Sequence, residues 1–370
     1  MTLTPHQDTG GLVPLPLLAD PAGYRPCPLD LSQREENRRY WLALFRGHFP
    51  TLLDAYRAEA DDRGVDAETI EATAAEAQQR FDAHLDRLAD DPAAFAPLTI
   101  LDICTAREDV LRSVGIDDAY RLAKRRDTEH AVALLPELLD QLDAMPDAER
   151  AEAVVRGVFA GNIYDLGATE TVAMFTDQRV DFHAVRQQLR PRPWRFDDLD
   201  VWLERLAGPP HRTALLFVDN AGPDVTLGML PLARDLLRRG TDVILTANTT
   251  PSLNDVTHDE LTGLVERVAT FDPVVRDAAS RGRLTLTPSG NHTPLIDLSR
   301  VDPRLAAACG DRGVDLVVLE GMGRAVESNL DAELRCDTLK LAMIKDGGVA
   351  RELGTEVFDL VMKFEPTGRQ

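Results

Sequence analysis

Two aspartates and one asparagine are the residues whose types and positions most directly predict chemistry in this chain. Asp219 and Asn220 directly follow the apolar run TALLFV, and Asp255 lies in the turn after the apolar run DVILTA. Carboxylate and amide oxygens are hard ligands, which suit Mg²⁺ or Mn²⁺ better than ions that prefer thiolates. Asn and Asp are also common in turns, but turn chemistry does not explain acids placed directly after an apolar strand. We therefore expect Asp219, Asn220 and Asp255 to bind a divalent metal ion.

The elements that would position these residues are predicted by short β-branched runs that alternate with helical segments after His211. The candidate strands are TALLFV, DVILTA, RLTLT, VDLVVLE, LKLAMI and EVFDLVMKF. Such alternation is typical of βαβ units on a parallel sheet, and ligands of these sheets lie beyond the carboxyl ends of the strands. We predict an α/β fold, a Rossmann-like doubly wound and mostly parallel sheet, in residues 206–370. Thr257 and Glu260 have the spacing of a capping box at the start of one helix.

The N-terminal half has a different pattern, because apolar residues recur at helical spacing, as in Tyr40, Leu44 and Phe45. We predict a mainly helical N-terminal region, residues 1–205, as an all-helical domain or as an extension of the sheet domain. Thr105 and Glu108 have capping-box spacing, which predicts a helix that begins there. Arg107 in its first turn and the basic run at 121–126 are expected on solvated helix faces.

Further polar groups follow the later candidate strands. The segment EGMGR, residues 320–324, opens a predicted helix, so its backbone amides could hold a phosphate. It is not a dinucleotide fingerprint, because Val326 replaces the third glycine. Arg324 could bind phosphate oxygens bidentately or could be a surface helix residue. Lys345 could supply positive charge at the carboxyl end of its strand, and Lys340, an odd number of residues away, would face the opposite side.

Composition limits the classes of partner. The chain has 370 residues, and its 41 basic and 62 acidic residues give a net charge of -21, which repels a nucleic-acid backbone. The same charge repels a small phosphorylated metabolite, so a phosphate site needs local positive groups. We expect no nucleic-acid partner, no membrane span, no signal peptide and therefore a cytoplasmic protein. The four cysteines are scattered and are expected to be reduced thiols: Cys27, Cys104, Cys309 and Cys336.

Long segments of the chain resemble the damage-control phosphatases, a metal-dependent family that hydrolyses unwanted or damaged phosphometabolites. They include LPLLADPAGYRPC, AREDVLR, VRGVFAGNIYDLGA, FVDNAGPDVTLGMLPLARDLLRRG, ANTTPSLNDVT and VVLEGMGRAVESNLDAELRCDTLKLAMIK. The chain is similar in particular to the branch that includes the phosphatase domain fused to a eukaryotic pantothenate kinase. The resemblance implies a phosphoric monoester hydrolase that acts on 4'-phosphopantetheine or an oxidised derivative, with Mg, Mn, Co or Ni as the divalent metal.

The resemblance also implies roles for individual residues. It places the metal ligands at Asp219, Asn220 and Asp255, the same residues that strand ends predict. The implied catalytic set adds Arg324 and Lys340 to these ligands. Together with Lys345 from the strand-end pattern, the expected substrate-binding residues are Asn162, Asp165, Asn248, Glu320, Gly321, Met322, Gly323, Arg324, Lys340 and Lys345.

Several alternatives stay open at the level of sequence. The nucleophile could be a water molecule or an aspartate, and we favour water because metal-bound carboxylates are poor nucleophiles. A phosphatase of the same fold could act on another phosphate ester in a specialised pathway. A carboxyl methyltransferase and a noncatalytic metabolite-binding protein are the two alternatives from other classes. The sequence contains no G-x-S-x-G elbow, Walker A loop or HExxH motif.

Overall fold

The computed structural model describes residues 11–163, 182, 186 and 189–367. Within these residues the strands are β1 (Phe196–Asp197), β2 (Thr213–Phe217), β3 (Asp242–Ala247), β4 (Leu284–Pro288), β5 (Leu316–Glu320), β6 (Asp337–Met343) and β7 (Leu360–Glu365). They form one seven-stranded sheet in the order β1-β7-β6-β5-β2-β3-β4. Strand β7 is antiparallel to β6, and all other neighbouring pairs are parallel. The predicted mostly parallel, Rossmann-like α/β fold is confirmed.

The helices before the sheet are α1 (Glu35–Asp62), α2 (Ala67–Asp90), α3 (Ile100–Ser113), α4 (Arg121–Asp143) and α5 (Asp147–Asn162). Those that accompany the strands are α6 (Leu199–Ala207), α7 (Leu230–Arg238), α8 (His258–Ala269), α9 (Pro273–Ser280), α10 (Pro303–Arg312) and α11 (Gly347–Leu353). Two π-helical turns, Asp224–Met229 and Met322–Glu327, follow β2 and β5. The predicted helical character of the N-terminal region is therefore present in the described residues.

Capping side chains fix where several of these helices begin. Thr257 and Glu260 form the predicted capping box of α8. The capping box expected at Thr105 and Glu108 is wrong, because α3 begins five residues earlier. Its capping residues are Thr99 and Asp102, which satisfy the first free amides of the helix. Thr105 lies inside α3, where its hydroxyl donates to the Leu101 carbonyl at 2.8 Å.

Helices from both halves of the sequence cover the sheet. Alternate residues of β2 point to opposite faces, so Leu216 belongs to a buried cluster with α4, α5 and α6, and Leu215 belongs to another with α1, α2 and α3. Strand β1 lies before the expected domain boundary at 205 and pairs with β7. The boundary itself stays a prediction. Among the described residues, no helix combines the length and the apolar character that crossing a bilayer requires.

Candidate active site at the carboxyl edge of the sheet

The site lies where the strand order reverses. From β2 the chain proceeds outward through β3 and β4, then returns to the other side of β2 with β5, and such a reversal opens a crevice at the carboxyl ends of the two central strands. Asp219 and Asn220 follow β2, and Glu320 is the last residue of β5. The amide of Asp219 donates to Glu320 Oε2 at 3.0 Å. Neighbouring strand ends therefore bring these polar groups together.

Asn162, the last residue of α5, is the helical contribution to this crevice. Its Nδ2 lies 2.6 Å from Glu320 Oε1, 3.1 Å from Asp224 Oδ2 and 3.3 Å from Asp219 Oδ2. The preceding Gly161 permits this approach, since a Cβ there would lie 2.9 Å from the Asp224 Cα. Asp165, which the resemblance also placed at the pocket, lies outside the described residues.

Asp219, Asp224 and Glu320 form what we call the acidic cluster. One carboxylate oxygen of each residue lies within 4.8 Å of the others, and all three side chains are buried. The sequence reasoning missed Asp224, although its five-residue spacing from Asp219 places it in the first turn after the strand end. Burial raises the pKa of the Asp224 carboxyl, and the nearby charge of Lys345 opposes that rise. Asp224 Oδ1 has no hydrogen-bond partner among the described residues, so it can serve as a cation ligand.

A second group of side chains joins Asp219 from the side of β3. Arg324 is fully buried, which excludes the surface helix position, and its Nη2 donates to Asp255 Oδ2 at 3.0 Å and Asn248 Oδ1 at 3.2 Å. The same guanidinium forms an ion pair with Asp219 through Nη1. Asn248 Nδ2 also donates to Asp255 Oδ2, at 2.8 Å. The guanidinium thus lies between two of the carboxylates expected to bind metal.

The EGMGR segment leads from β5 into a π-helical turn of six residues, Met322–Glu327, instead of a regular helix. Gly321 has a φ of 99°, a value that few residues other than glycine adopt. A Cβ at this position would also overlap the Asp219 carboxylate. Glycine is therefore required here both by the backbone and by the close approach of Asp219.

Lys340 and Lys345 lie in different surroundings, as the alternation of side chains along a strand predicted. Lys345 Nζ donates to the Asn162 carbonyl at 2.8 Å, and the residue lines the same cleft as Asp219. Lys340 Nζ instead donates to the carbonyls of Leu330 and Ala332 at 2.8 and 2.9 Å and forms an ion pair with Glu365 at 2.7 Å. The structure does not bring Lys340 to the other site residues.

The cleft has a volume of about 140 Å³. Its floor consists of strand-end residues: Asp219, Asn220, Asp255 and Lys345. Its wall comes from α1 and α3 and is mainly apolar: Trp41, Phe45, Ile100, Cys104 and Arg107. Glu320 and Asp224 are not part of this lining and lie behind Asp219. The three expected metal ligands therefore all line the cleft, as do Asn254, Glu327 and Asp346.

Arg107 is a wall residue that the sequence reasoning placed wrongly in solvent. It is 4% exposed, and its Nε and Nη2 donate to Glu108 Oε1 at 2.9 and 2.7 Å. Its guanidinium carbon lies 5.7 Å from the centre of the Phe45 ring. Ser252 Oγ donates to the same Glu108 oxygen at 2.9 Å. A fixed positive charge therefore lies in a mainly apolar wall, and the AREDVLR segment was the available signal for it.

The basic run at 121–126 was expected on a solvated helix face, and for Lys124 this expectation is wrong. The lysine is buried and forms ion pairs with Asp118 and Glu260, both at 2.9 Å. Its Nζ also lies 3.5 Å from the carbonyl oxygen of Asp255. Helix α4 thus reaches the backbone of the loop that carries an expected metal ligand.

Burial and charge determine what the other side chains of the cleft can do. Burial raises the pKa of Cys104 to about 12, so this thiol is protonated at neutral pH and is not a thiolate nucleophile. The local positive groups that a phosphate needs in a chain of charge -21 are present as Lys345, Arg107 and Arg324. The cleft can therefore combine carboxylates for a cation with positive side chains for an anion.

Comparison with known proteins places this site in a family. A family model described as "Damage-control phosphatase ARMT1-like domain" matches residues 45–361. The chain is 42% identical to "Pantothenate kinase 2" from Arabidopsis thaliana, over 95% of this chain and 41% of that protein. It is 34% identical to the "4'-phosphopantetheine phosphatase" of Mus musculus, over 96% of this chain and 48% of that protein. The chain thus spans less than half the length of these two relatives.

A damage-control phosphatase from Arabidopsis thaliana matches over nearly its full length, at 38% identity over 95% of this chain and 97% of that protein. The crystal structure of a DUF89 family protein from Pyrococcus horikoshii has a TM-score of 0.58 and 15% identity, over 85% of this chain and 96% of that one. This likeness concerns the fold alone. The match of the family model over residues 45–361 and the 38% identity to a relative covered over nearly its full length show that the chain belongs to the damage-control phosphatase family.

Proposed function

We propose that the protein is a metal-dependent phosphatase that hydrolyses a small phosphorylated metabolite, with 4'-phosphopantetheine or an oxidised derivative as the favoured substrate. Phosphatase chemistry is supported by the family, and the substrate by the name of the mouse relative. One observation carries the proposal: a cleft at the strand-order reversal combines Asp219 and Asp255 with the positive charges of Lys345 and Arg107. This combination suits a cation and a phosphate in the same place.

The donor groups fit a divalent metal ion. Asp219, Asn220 and Asp255 offer hard oxygen atoms on the cleft floor, and the buried Asp224 Oδ1 adds an oxygen with no hydrogen-bond partner among the described residues. We propose Asp219, Asn220 and Asp255 as the ligands, because all three line the cleft. When bound, such an ion supplies Lewis-acid polarisation of a phosphoryl oxygen.

The other polar residues of the site orient the ligands. Asn162 and Asn220 both donate to Asp219 Oδ2, at 3.3 and 3.0 Å, so that carboxylate is held in one orientation. Arg324 lies between Asp219 and Asp255 and lowers the repulsion between them. These contacts reduce the reorganisation that binding a cation and a phosphate requires.

The substrate phosphate is proposed to lie between the floor and the wall. Lys345 and Arg107 would bind its nonbridging oxygens, since both side chains line the cleft. Lys340 is left out of this proposal, because its ammonium is held by two carbonyls and Glu365 elsewhere. In the reaction a water oxygen bonds to phosphorus, the ester P–O bond breaks, and the leaving alcohol receives a proton. An Asp219 or Asp255 carboxylate would take the proton that water loses and pass it to the leaving alcohol.

Release of inorganic phosphate tests this function. A panel containing 4'-phosphopantetheine and shorter phosphate esters would be incubated with Mg²⁺, Mn²⁺, Co²⁺ or Ni²⁺, using wild type and Asp219→Ala. The exposed Arg39 gives a control variant, Arg39→Ala. We expect metal-dependent release by wild type and by the control, and none by Asp219→Ala. No release from any ester with any metal would overturn the proposed function.

A further inference from the structure

Helix α4 contacts both of the loops that carry the proposed metal ligands. The first ligand loop, residues 218–223, follows β2 and contains Asp219 and Asn220. The second ligand loop, residues 248–257, follows β3 and contains Asp255. The ligands therefore come from two separate segments, and their mutual distances depend on how these segments are held.

Backbone hydrogen bonds join the two ligand loops to each other. The amide of Val256 donates to the Asp219 carbonyl at 3.0 Å, and the amide of Ala221 donates to the Asn254 carbonyl at 2.9 Å. Both bonds involve a proposed ligand or its direct neighbour in the sequence. A contact that fixes one loop thus also bears on the other.

Lys124 of α4 is linked to the second ligand loop at two places. Its Nζ lies 3.5 Å from the carbonyl oxygen of Asp255 and forms an ion pair with Glu260 at 2.9 Å. Glu260 Oε2 also accepts from the amide and the hydroxyl of Thr257, at 2.8 and 2.9 Å. Lys124 is therefore linked both to a proposed ligand and to the end of the loop, where α8 begins.

Asp118 fixes the position of the Lys124 ammonium from the other side. Its Oδ2 lies 2.9 Å from Lys124 Nζ, and its Oδ1 accepts from the amide of Tyr120 at 3.2 Å. Asp118 and Lys124 are both buried, and a buried charge is costly unless it is paired. The ammonium is therefore confined between the carboxylates of Asp118 and Glu260, beside the second ligand loop.

Thr128, one turn further along α4, holds the first ligand loop. Its Oγ1 accepts from the amide of Gly222 at 3.1 Å. The helix packs closely here, since a Cβ added at Gly222 would lie 3.1 Å from the Cβ of Asp127. Residues four positions apart lie on the same face of a helix. Lys124 and Thr128 therefore present one face of α4 to both ligand loops.

We propose that Lys124 and Thr128 are positioning residues of the metal site, and that α4 holds the two ligand loops at the separation that a divalent cation requires. This inference rests on the proposed metal-dependent function. Both residues act through the backbone of the loops. Groups that orient metal ligands influence the affinity for the metal, so their loss should weaken cation binding. KM for the ester should change little once the metal is saturating.

A pair of substitutions at Thr128 tests the contact with the first ligand loop. Thr128→Val keeps the size of the side chain and removes the acceptor for the Gly222 amide, whereas Thr128→Ser keeps the hydroxyl. Binding of Mn²⁺ to the full chain without substrate would be measured by isothermal titration calorimetry. We expect Thr128→Val to raise Kd by about two- to tenfold, as for the loss of one hydrogen bond, and Thr128→Ser to restore most of the affinity.

A double variant tests the contact with the second ligand loop. Lys124→Met is combined with Asp118→Asn, because one positive and one negative charge are then removed together and the net buried charge is unchanged. We expect Kd for Mn²⁺ to rise by about 10–100-fold. Arg125→Met is the control, since Arg125 is the exposed neighbour on α4 and pairs with Asp62. The midpoint of thermal unfolding without metal would confirm that the variants are folded.

The outcomes distinguish this inference from the function on which it rests. Wild-type Kd values for Mn²⁺ in the folded Thr128→Val and double variants would overturn the positioning role and leave the phosphatase intact. A raised KM at saturating Mn²⁺ with unchanged Kd would overturn it as well. If wild type itself bound no Mn²⁺, both proposals would fail. Metal binding without release of phosphate from any ester would overturn the phosphatase alone, because Kd does not depend on turnover.

Discussion

The floor and the wall of the cleft are built in different ways. Floor residues such as Asp219 and Asp255 follow parallel strands, whose carboxyl ends meet at one edge of the sheet. Wall residues such as Phe45 and Arg107 lie on helices that approach this edge from a distant part of the sequence. Strand topology therefore places the floor, and helix packing places the wall.

The floor and the wall also differ in how their charged side chains are paired. The floor shares its charges among many partners, since Arg324 contacts both Asp219 and Asp255. In the wall, Arg107 is paired with its own neighbour Glu108. We expect changes in the floor to disturb the whole group of carboxylates, and changes in the wall to alter mainly the binding of the substrate.

The largest effect is expected for Asp255→Asn on the floor. The change removes one proposed metal ligand and one of the two carboxylates that balance Arg324, so kcat/KM for phosphate release should fall by about 10³-fold. Asp259→Asn makes the same chemical change at an exposed position on α8 and should leave activity near that of wild type. Equal activities of the two variants would show that the floor does not depend on Asp255.

A smaller effect is expected for Asp224→Asn, behind the floor. Groups that orient metal ligands typically change metal affinity or activity by about 10–100-fold, and Asp224 Oδ2 accepts from Asn162 and Asn220 at 3.1 and 2.8 Å. Titration of activity with Mn²⁺ should show a higher half-saturating concentration. A loss greater than that of Asp255→Asn would instead identify the acidic cluster as the metal site.

The sequence predicted most of the sheet and much of the floor. Polar residues directly after apolar strands, such as Asp219 and Lys345, were recognisable because strand ends converge whatever the details of packing. Asp224 was missed because its position in the sequence is typical of an ordinary residue in the first turn of a helix. Only the approach of α5, which brings Asn162 to it, shows that it is buried with other carboxylates.

The wall could not be predicted from the chain in the same way. Arg107 and Lys124 lie in polar helical sequence, and the pattern alone favours solvent exposure for each of them. Arg107 packs against Phe45 of α1, and Lys124 pairs with Glu260, which lies more than a hundred residues away in the sequence. Such partners are set by how helices dock on the sheet, which local spacing does not specify.

A moderate effect is expected for Arg107→Lys in the wall. Lysine keeps the charge but loses the planar fork that contacts Glu108 and a phosphate at the same time. KM should rise by about tenfold with a much smaller change in kcat, in line with the loss of one charge-assisted hydrogen bond. Arg112→Lys on the same helix is the matched control, because Arg112 pairs with Asp109 and does not line the cleft. Equal KM values for both variants would contradict a role of the wall in phosphate binding.

The smallest effect is expected for Ser252→Ala, where the two regions meet. Ser252 Oγ donates to Glu108 in the wall at 2.9 Å, and its carbonyl accepts from the Asp255 amide at 3.0 Å. The variant removes only the contact with the wall. Glu108 in turn holds Arg107, so the loss of this one hydrogen bond should change KM by only about two- to fivefold. Ser280→Ala, an exposed change on α9, is the control. If kcat falls with KM unchanged, the hydroxyl acts on the floor through the Asp255 loop, and the separation of floor from wall does not hold at this residue.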